Sequence, residues 1–352
     1  MVPREDFVAT PFHEETESRI ERLDKLLPSD AFTTDVRRSL YRYALIRNSW
    51  GTTNIDAGPI ELARVEALYE AYERGAAGAT KILPTEREVI NYFRLVEDLP
   101  TSDFDASAED VRLLHQEYFR EVPLQNEARP GRWKERDNVV ATPWRTLETS
   151  PRERTEEDLE SLLSWYNRTR GKLPLVARAA IFFHGFQRIH PFGDGNGRVG
   201  RLAALFLLSA GGLEGIRYAP VDDAINEDRQ EYYLALARGD AGDLEYWVGY
   251  FGAQLHHGYQ RAHLLAQRLQ RIPPKVPASS RRLLEHAYVH RVDRFRLGDV
   301  RDVFLDDSRR TVIRRLAELE DLGFLRREGV GAGSRYVVVP LRETAAKGPE
   351  NE

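Results

Sequence analysis

The sequence predicts a mainly α-helical protein with one small β-hairpin near its middle and a C-terminal helical domain that ends in a second hairpin. Three observations carry that fold class. Apolar residues recur three and four positions apart through most of the chain up to Arg271, the period of one helix face. The period lapses between Pro123 and Pro151, where β-branched residues flank turn signals. Beyond the proline-rich stretch at residues 273–280, the order is helix, short helix, helix, hairpin.

Each element follows from its residues. The first 30 residues are polar and charged, with one short helix expected over 18–27. From Thr33, the residues Val36, Leu40, Tyr43, Ala44 and Ile46 mark a helix face. Gly51-Thr-Thr-Asn54 and Asp56-Ala-Gly-Pro59 are expected to interrupt it. Leu62, Val65, Leu68 and Tyr69 mark a helix over 61–74, and Pro84 opens another that carries Val89, Phe93 and Leu95. Ser107 is the expected cap of a helix through Val111, Leu114, Tyr118 and Phe119. Pro130-Gly131 reads as a turn, and 138–142 as a strand paired with 145–149. Helices resume over 155–169, 174–189, from 202 onward, 229–238 and 244–271.

In the C-terminal part, helices are expected over 281–290 and 297–304. A third, over 309–322, is capped by Ser308 and stopped by Gly323. Residues 324–327 and 336–339 flank the turn GVGAG at 329–333. That order is the winged-helix order. The expected domains are an N-terminal helical region 1–100, a core 101–257, a helix and linker 258–280, a winged-helix domain 281–341 and a disordered tail 342–352.

Composition excludes several classes. There is no cysteine, so disulfides, thiolate metal sites and cysteine nucleophiles are absent. A formal charge of -5 is not that of a chain whose whole surface attracts nucleic acid. The N-terminus lacks the apolar core of a signal peptide, and no apolar run reaches the roughly 18 residues that span a bilayer. A cytoplasmic protein with no membrane partner is the expectation.

The segment HPFGDGNGRVGR at residues 190–201 concentrates the chemistry. Gly193, Gly195 and Gly197 lack a Cβ and can turn successive amides toward an anion at a helix start. Arg198 and Arg201 stand three residues apart, where guanidinium forks grip phosphate oxygens. Asp194 is a lone carboxylate, and magnesium is often held by one or two carboxylates plus substrate phosphates. His190 is a base that can take a hydroxyl proton at neutral pH. Phe192 reads as an anchor for the loop. A glycine turn between two helices is the bland reading; His, Asp, Asn and two Arg within twelve residues weigh against it.

From His190 to Arg198 the segment resembles the Fic-domain signature HPFx[DE]GN[GK]R at every specified position, and Arg201 stands at its downstream second arginine. The resemblance implies a Fic-type catalytic core over 101–257 that transfers AMP from ATP, with magnesium, to a Ser, Thr or Tyr hydroxyl of a protein. In that scheme His190 deprotonates the hydroxyl and Asp194 holds magnesium. Asn196 and the Gly195 and Gly197 amides hold phosphate oxygens beside Gly193, and Arg198 and Arg201 neutralise the rest. Such transfer is chiefly positioning and charge stabilisation. The hairpin at 132–149 resembles the Fic flap, which presents a target segment by strand addition; it reads equally as an ordinary surface hairpin. Tyr232 and Tyr233 are implied at the adenosine end, although either serves equally as core.

Residues 52–57, Thr-Thr-Asn-Ile-Asp-Ala, are similar to the inhibitory pattern [ST]xxxE[GN], whose Glu pairs with the second arginine. Asp56 replaces that Glu and Ala57 the Gly or Asn. Asp is shorter by one C–C bond, about 1.5 Å, so weak or lost inhibition is expected. Asp56 as a simple cap before Pro59 is the competing reading. Arg309, Arg310 and Arg314 lie in the first half of the third C-terminal helix, where DNA phosphates are met. Nearby Glu318, Glu320 and Asp321 oppose this. Three alternatives stay open: a DNA-binding regulator that senses nucleotide or is inactive, another nucleotide donor, and AMP removal. Self-modification and a homodimer are compatible with this layout.

Overall fold

The computed structural model describes residues 7–56, 58–76, 82–100, 105–125, 127–142, 145–272, 276, 278–289, 294–299 and 308–339. Among these the helices are α1 (Pro11–Leu26), α2 (Thr34–Asp56), α3 (Leu62–Glu73), α4 (Pro84–Glu97) and α5 (Ala108–Tyr118). The hairpin strands β1 (Val139–Thr142) and β2 (Arg145–Glu148) follow. Next come α6 (Thr155–Arg168), α7 (Leu175–Ile189), α8 (Asn196–Ala210), α9 (Val221–Glu227), α10 (Arg229–Asp240) and α11 (Leu244–Gln270). The chain continues with α12 (Ala278–Val289), β3 (Arg294–Arg296), α13 (Arg309–Asp321), β4 (Leu325–Glu328) and β5 (Arg335–Val338). There are two compact units: Met1–Ala31 with Leu40–His263, and Phe32–Ser39 with Leu264–Glu352.

In the first unit α7 is the central helix. Its residues are nearly all buried, the polar Arg178, His184 and Gln187 included, as befits a core helix. α6 and α8 pack on it, with Gly185 of α7 against Leu162 of α6. α1 begins at Pro11, earlier than the expected residue 18, because Thr10 caps it and proline is compatible with a first turn. Glu17 of α1 caps α7 in turn: its carboxylate accepts from the Leu175 amide at 2.7 Å and the Val176 amide at 3.0 Å. Burial raises the Glu17 pKa while those two amides pull it back.

α2 corrects the sequence reading. It runs unbroken through residues 51–54 to Asp56, although turn residues were expected to end it. Gly51 is there for close approach: a Cβ would stand 2.5 Å from the Asp222 carbonyl oxygen. Asn48 secures the same junction, donating to Ala219 O and accepting from the Asp222 amide, both at 2.9 Å. α9, which carries Asp222, has seven residues and was not expected; two turns are too few to display a period.

β1 and β2 pair antiparallel, Val139 opposite Glu148 and Thr142 opposite Arg145. In the second unit the strand order is β3-β5-β4, all antiparallel. Phe295 lies opposite Tyr336 with stacked rings, Leu325 opposite Val338, and α13 buries Val312, Leu316 and Leu319. Ser308 Oγ accepts from the Thr311 amide at 3.1 Å, so it caps α13. The helix expected over 297–304 is not seen at its start, where 297–299 form a turn after β3. Its remainder, Ala57 and the tail 342–352 lie outside the described residues. Among the described residues no helix is long and apolar enough to cross a membrane.

Candidate active site

α7 ends and α8 begins around one turn, and the residues singled out at 190–201 meet there. His190 is the C-cap of α7 with φ 52 and ψ 62, a left-handed conformation uncommon outside glycine. Its Nδ1 lies 3.4 Å from the Gln187 carbonyl. A carbonyl only accepts, so this contact is a hydrogen bond when Nδ1 carries a proton.

Asn196 ties the turn. Its Oδ1 accepts from the Phe192 amide at 2.9 Å and its Nδ2 donates to Phe192 O at 2.8 Å. The side chain assigned to phosphate is thus used to shape the loop, and the residue's anion-binding capacity lies in its backbone. Gly195, with φ 79, is the N-cap of α8. The amides of the first α8 turn have no preceding helical carbonyl to bond and bear the positive end of the helix dipole. Gly193 lies against Ala128. Phe192 is fully buried and stacked on His115 with ring centroids 3.8 Å apart.

His115 on α5 was missed in the sequence because it stands amid an ordinary helical pattern. The Gly131 amide donates to its Nδ1 at 2.9 Å, so its Nε2–H donates to Asp194 O at 3.1 Å. Burial pushes its pKa down to about 4, against the Asp194 carbonyl and carboxylate that favour charge. His115 is therefore a neutral brace under the turn.

Asp194 is held in place by donors on both carboxylate oxygens. Oδ1 accepts from the Gly195 amide at 2.6 Å and from Arg198 at 3.1 Å, and Oδ2 from the Gln125 amide at 3.0 Å. Arg198 also pairs with buried Glu88 and lies over the Phe119 ring. Burial raises the Glu88 pKa and Arg198 opposes it. Around the turn, Asp56, Glu88, Asp194 and Asp222 face Arg198 and Arg201. That excess of carboxylates fits a divalent cation at Asp194 whose other ligands are substrate phosphates. No cluster of three metal-binding side chains is found among the described residues.

Arg201 is almost wholly enclosed. Its Nε donates to Thr52 Oγ1 at 2.9 Å, and its Nη2 to Thr52 O at 3.1 Å and Asp56 Oδ2 at 2.7 Å. Burial opposes its charge, but Asp56, Tyr232 and Asp222 more than compensate and its pKa is raised. The buried Asp222 carboxyl, 3.8 Å from Arg201, is pushed up to about 6 by burial despite Arg201 and Thr52. The expected reach deficit of Asp56 is not found. An unbroken α2 carries the carboxylate to Arg201, and Gly197 leaves it room, since a Cβ at 197 would overlap Asp56 Oδ2.

Of the tyrosines, Tyr232 is core, packed on Phe183 and Trp247, whereas half-buried Tyr233 donates to Ile55 O at 3.4 Å and faces Arg229. Arg309, Arg310 and Arg314 are exposed on α13. Arg314 stands 3.9 Å from Glu318.

A histidine at the end of one helix, followed by a glycine-containing turn into a helix whose first turns carry two paired arginines, defines a helical protein with free amides and guanidinium groups at one helix start. Residues 105–208 match the model of the Fic/DOC family, and this stretch of the chain belongs to that family. The chain is 32% identical to protein adenylyltransferase fic-1 of Caenorhabditis elegans over 106 residues, 30% of this chain and 20% of that protein. It is 37% identical to a Fido domain-containing protein of Dictyostelium discoideum over 87 residues, 24% of this chain and 57% of that one. The chain thus spans about a fifth of the length of the fic-1 relatives it matches. In fold it is similar to a Fic family protein from Desulfovibrio desulfuricans G20, with a TM-score of 0.65, 20% identity, and 96% and 98% of the two chains covered. It is also similar to residues 134–508 of C. elegans Fic-1, with a TM-score of 0.57, 21% identity and 73% of each chain covered.

Proposed function

We propose that the protein is an adenylyltransferase that moves AMP from ATP to a hydroxyl of a protein target, held in check by Asp56. The observation that carries this reading is the Asp56 carboxylate against Gly197 and Arg201. The chain's own anion stands at the α8 N-terminus, where dipole and guanidinium favour phosphate.

His190 Nε2 takes the proton of the attacking hydroxyl, with Nδ1–H kept on Gln187 O. The hydroxyl oxygen bonds to the α-phosphorus of ATP as the bond from that phosphorus to the bridging oxygen breaks and pyrophosphate leaves. The first-turn amides of α8 and Arg198 hold phosphate oxygens, and Arg201 takes the γ-phosphate once Asp56 has left. A magnesium ion bound by Asp194 and the phosphates would supply charge neutralisation. The β1–β2 hairpin offers its edge to the target segment. Asp56 withdraws Arg201 from the nucleotide while the pair persists.

The test is mass spectrometry of the protein after incubation with magnesium and each of ATP, GTP, CTP and UTP. Added mass identifies the donor, and His190→Ala must abolish it. Full label transfer by that variant would sink the mechanism. A second reading, DNA binding through α13, is favoured by the exposure of Arg309, Arg310 and Arg314. It is tested by a gel shift with duplex DNA, which those residues changed to Glu should abolish.

A further inference from the structure

Lys134 precedes the hairpin and is buried, only 6% exposed. Its ammonium meets three oxygens: Asn138 Oδ1 at 3.0 Å, Thr149 Oγ1 at 2.9 Å and Ile189 O at 2.9 Å. Their places in the chain are the point. Asn138 immediately precedes β1, Thr149 immediately follows β2, and Ile189 is the residue before His190. The contacts around them are reciprocal. The Lys134 amide donates to Pro191 O at 2.8 Å, Thr149 Oγ1 donates to Asn138 O at 2.8 Å, and Asn138 Nδ2 donates to Phe192 O at 3.1 Å. Both feet of the hairpin are thereby tied to both flanks of His190.

Two physical arguments give the arrangement a purpose beyond stability. The last carbonyls of α7 lack helical donors and carry the negative dipole end, so a cation there is well placed. Yet an enclosed ammonium is costly, and burial pushes the Lys134 pKa down to about 8 although Asp137 and Asp158 favour its charge. Losing the ammonium alone leaves the Ile189 carbonyl without its side-chain donor and costs stability; what the cation adds beyond that is a defined geometry. His190, in its left-handed conformation, is a residue whose geometry needs external support.

We infer that Lys134 is a positioning residue, whose ammonium locks the two feet of the β1–β2 hairpin to the Ile189 carbonyl and so sets His190 relative to a segment laid along the hairpin. Its catalytic consequence rests on His190 being the base; the lock itself does not. A strand bound to the hairpin is then held at a fixed offset from the imidazole, which ties target presentation to proton removal.

The experiment uses the full chain as wild type, Lys134→Met, Lys134→Arg and Thr149→Val. It reads amide hydrogen exchange, thermal melting and steady-state transfer of labelled nucleotide. In Lys134→Met, the amides of the non-proline residues of 138–149 and those of His190 and Phe192 are expected to exchange at least tenfold faster, with a fall in melting temperature too small to account for it. kcat falls tenfold or more, with KM for ATP within twofold. Lys134→Arg, which keeps the cation, recovers part of the protection, and Thr149→Val moves in the same direction as Met by less. Wild-type exchange in Lys134→Met overturns the lock, as does a fall in melting temperature that accounts for the faster exchange. If Lys134→Met does not fold, unchanged exchange and kcat in Thr149→Val overturn it equally. Equal transfer by wild type and His190→Ala removes the base reading, while the exchange result still decides the lock.

Discussion

Replacing Asp56 by Ala tests the masking of Arg201 most directly. The two groups meet at 2.7 Å, with the Arg201 side chain 1% exposed and that of Asp56 24% exposed. Two unit charges about 4 Å apart attract by about 4 kcal/mol at an effective dielectric near 20. Breaking a fully buried pair costs about 3–5 kcal/mol. Asp56 retains contact with water, and Thr52 and Asp222 stay on Arg201 after the change, so roughly 2–3 kcal/mol is the share attributable to Asp56. At that bias only about one molecule in 30 to one in 150 has Arg201 available, and apparent affinity falls by the same fraction. Asp56→Ala is therefore expected to tighten ATP binding and raise self-labelling roughly 30- to 150-fold. Calorimetric titration with ATP and magnesium reads the first, radiolabel incorporation the second. Asp56→Asn, which still accepts a hydrogen bond, should fall between. An Asp56→Ala protein that binds and labels within twofold of wild type would refute the masking argument.

Three further outcomes follow from the same geometry. Gly197→Ala should break the Asp56–Arg201 pair without raising transfer, because its methyl group fills the space a phosphate needs; strong activation would show that phosphate does not seat there. His115→Phe keeps the stacking on Phe192 but strands the Gly131 amide and the Asp194 carbonyl, so chemical denaturation should show a loss of roughly 2–4 kcal/mol. Asp24 accepts from Tyr259 Oη at 2.6 Å and the Gly215 amide at 2.7 Å, and burial nonetheless raises its pKa to about 6. The folded state then holds a proton that the unfolded chain releases near 3.8, so this stability is full below about pH 4 and lost as pH rises through 6. Denaturation between pH 4 and 7 should show that loss, up to about 3 kcal/mol, reduced in Asp24→Asn. An identical pH slope in the variant would count against it.

The turn at residues 190–201 was legible because its signals are local. Glycine, histidine and arginine at short spacing act through backbone geometry and helix ends, which a linear reading captures. What escaped depends on contacts across the chain. His115 and Lys134 carry no unusual local pattern, and their roles arise from Asp194, Gly131 and Ile189, between 16 and 79 positions away. Gly51 read as a helix breaker by propensity, yet packing against Asp222 keeps it helical, a case of tertiary contact overriding local preference. The reach deficit expected of Asp56 is absent for a related reason. A side-chain length was compared without knowing that Gly197 lets the helix end approach. Asn196 illustrates the converse: its residue type suited phosphate, but the closed loop occupies its amide.

Glu17 and Asp56 show why one carboxylate at a helix N-terminus is structural and the other displaceable. Both come from the first 60 residues, and each stands at the start of one of the two central helices. Glu17 uses both oxygens on consecutive α7 amides, and Pro174 just before them has no amide to offer a larger anion. Asp56 binds a guanidinium side chain at a glycine-lined turn and remains partly exposed. A nucleotide phosphate carries more charge and more acceptor oxygens than one carboxylate, and α8 offers it first-turn amides as well as Arg198. The two contacts therefore respond oppositely to ATP: the Glu17 cap should keep its amide protection at any nucleotide concentration. The residues around Asp56 should lose theirs as ATP saturates, and hydrogen exchange of the start of α7 and the end of α2 in one sample reads both.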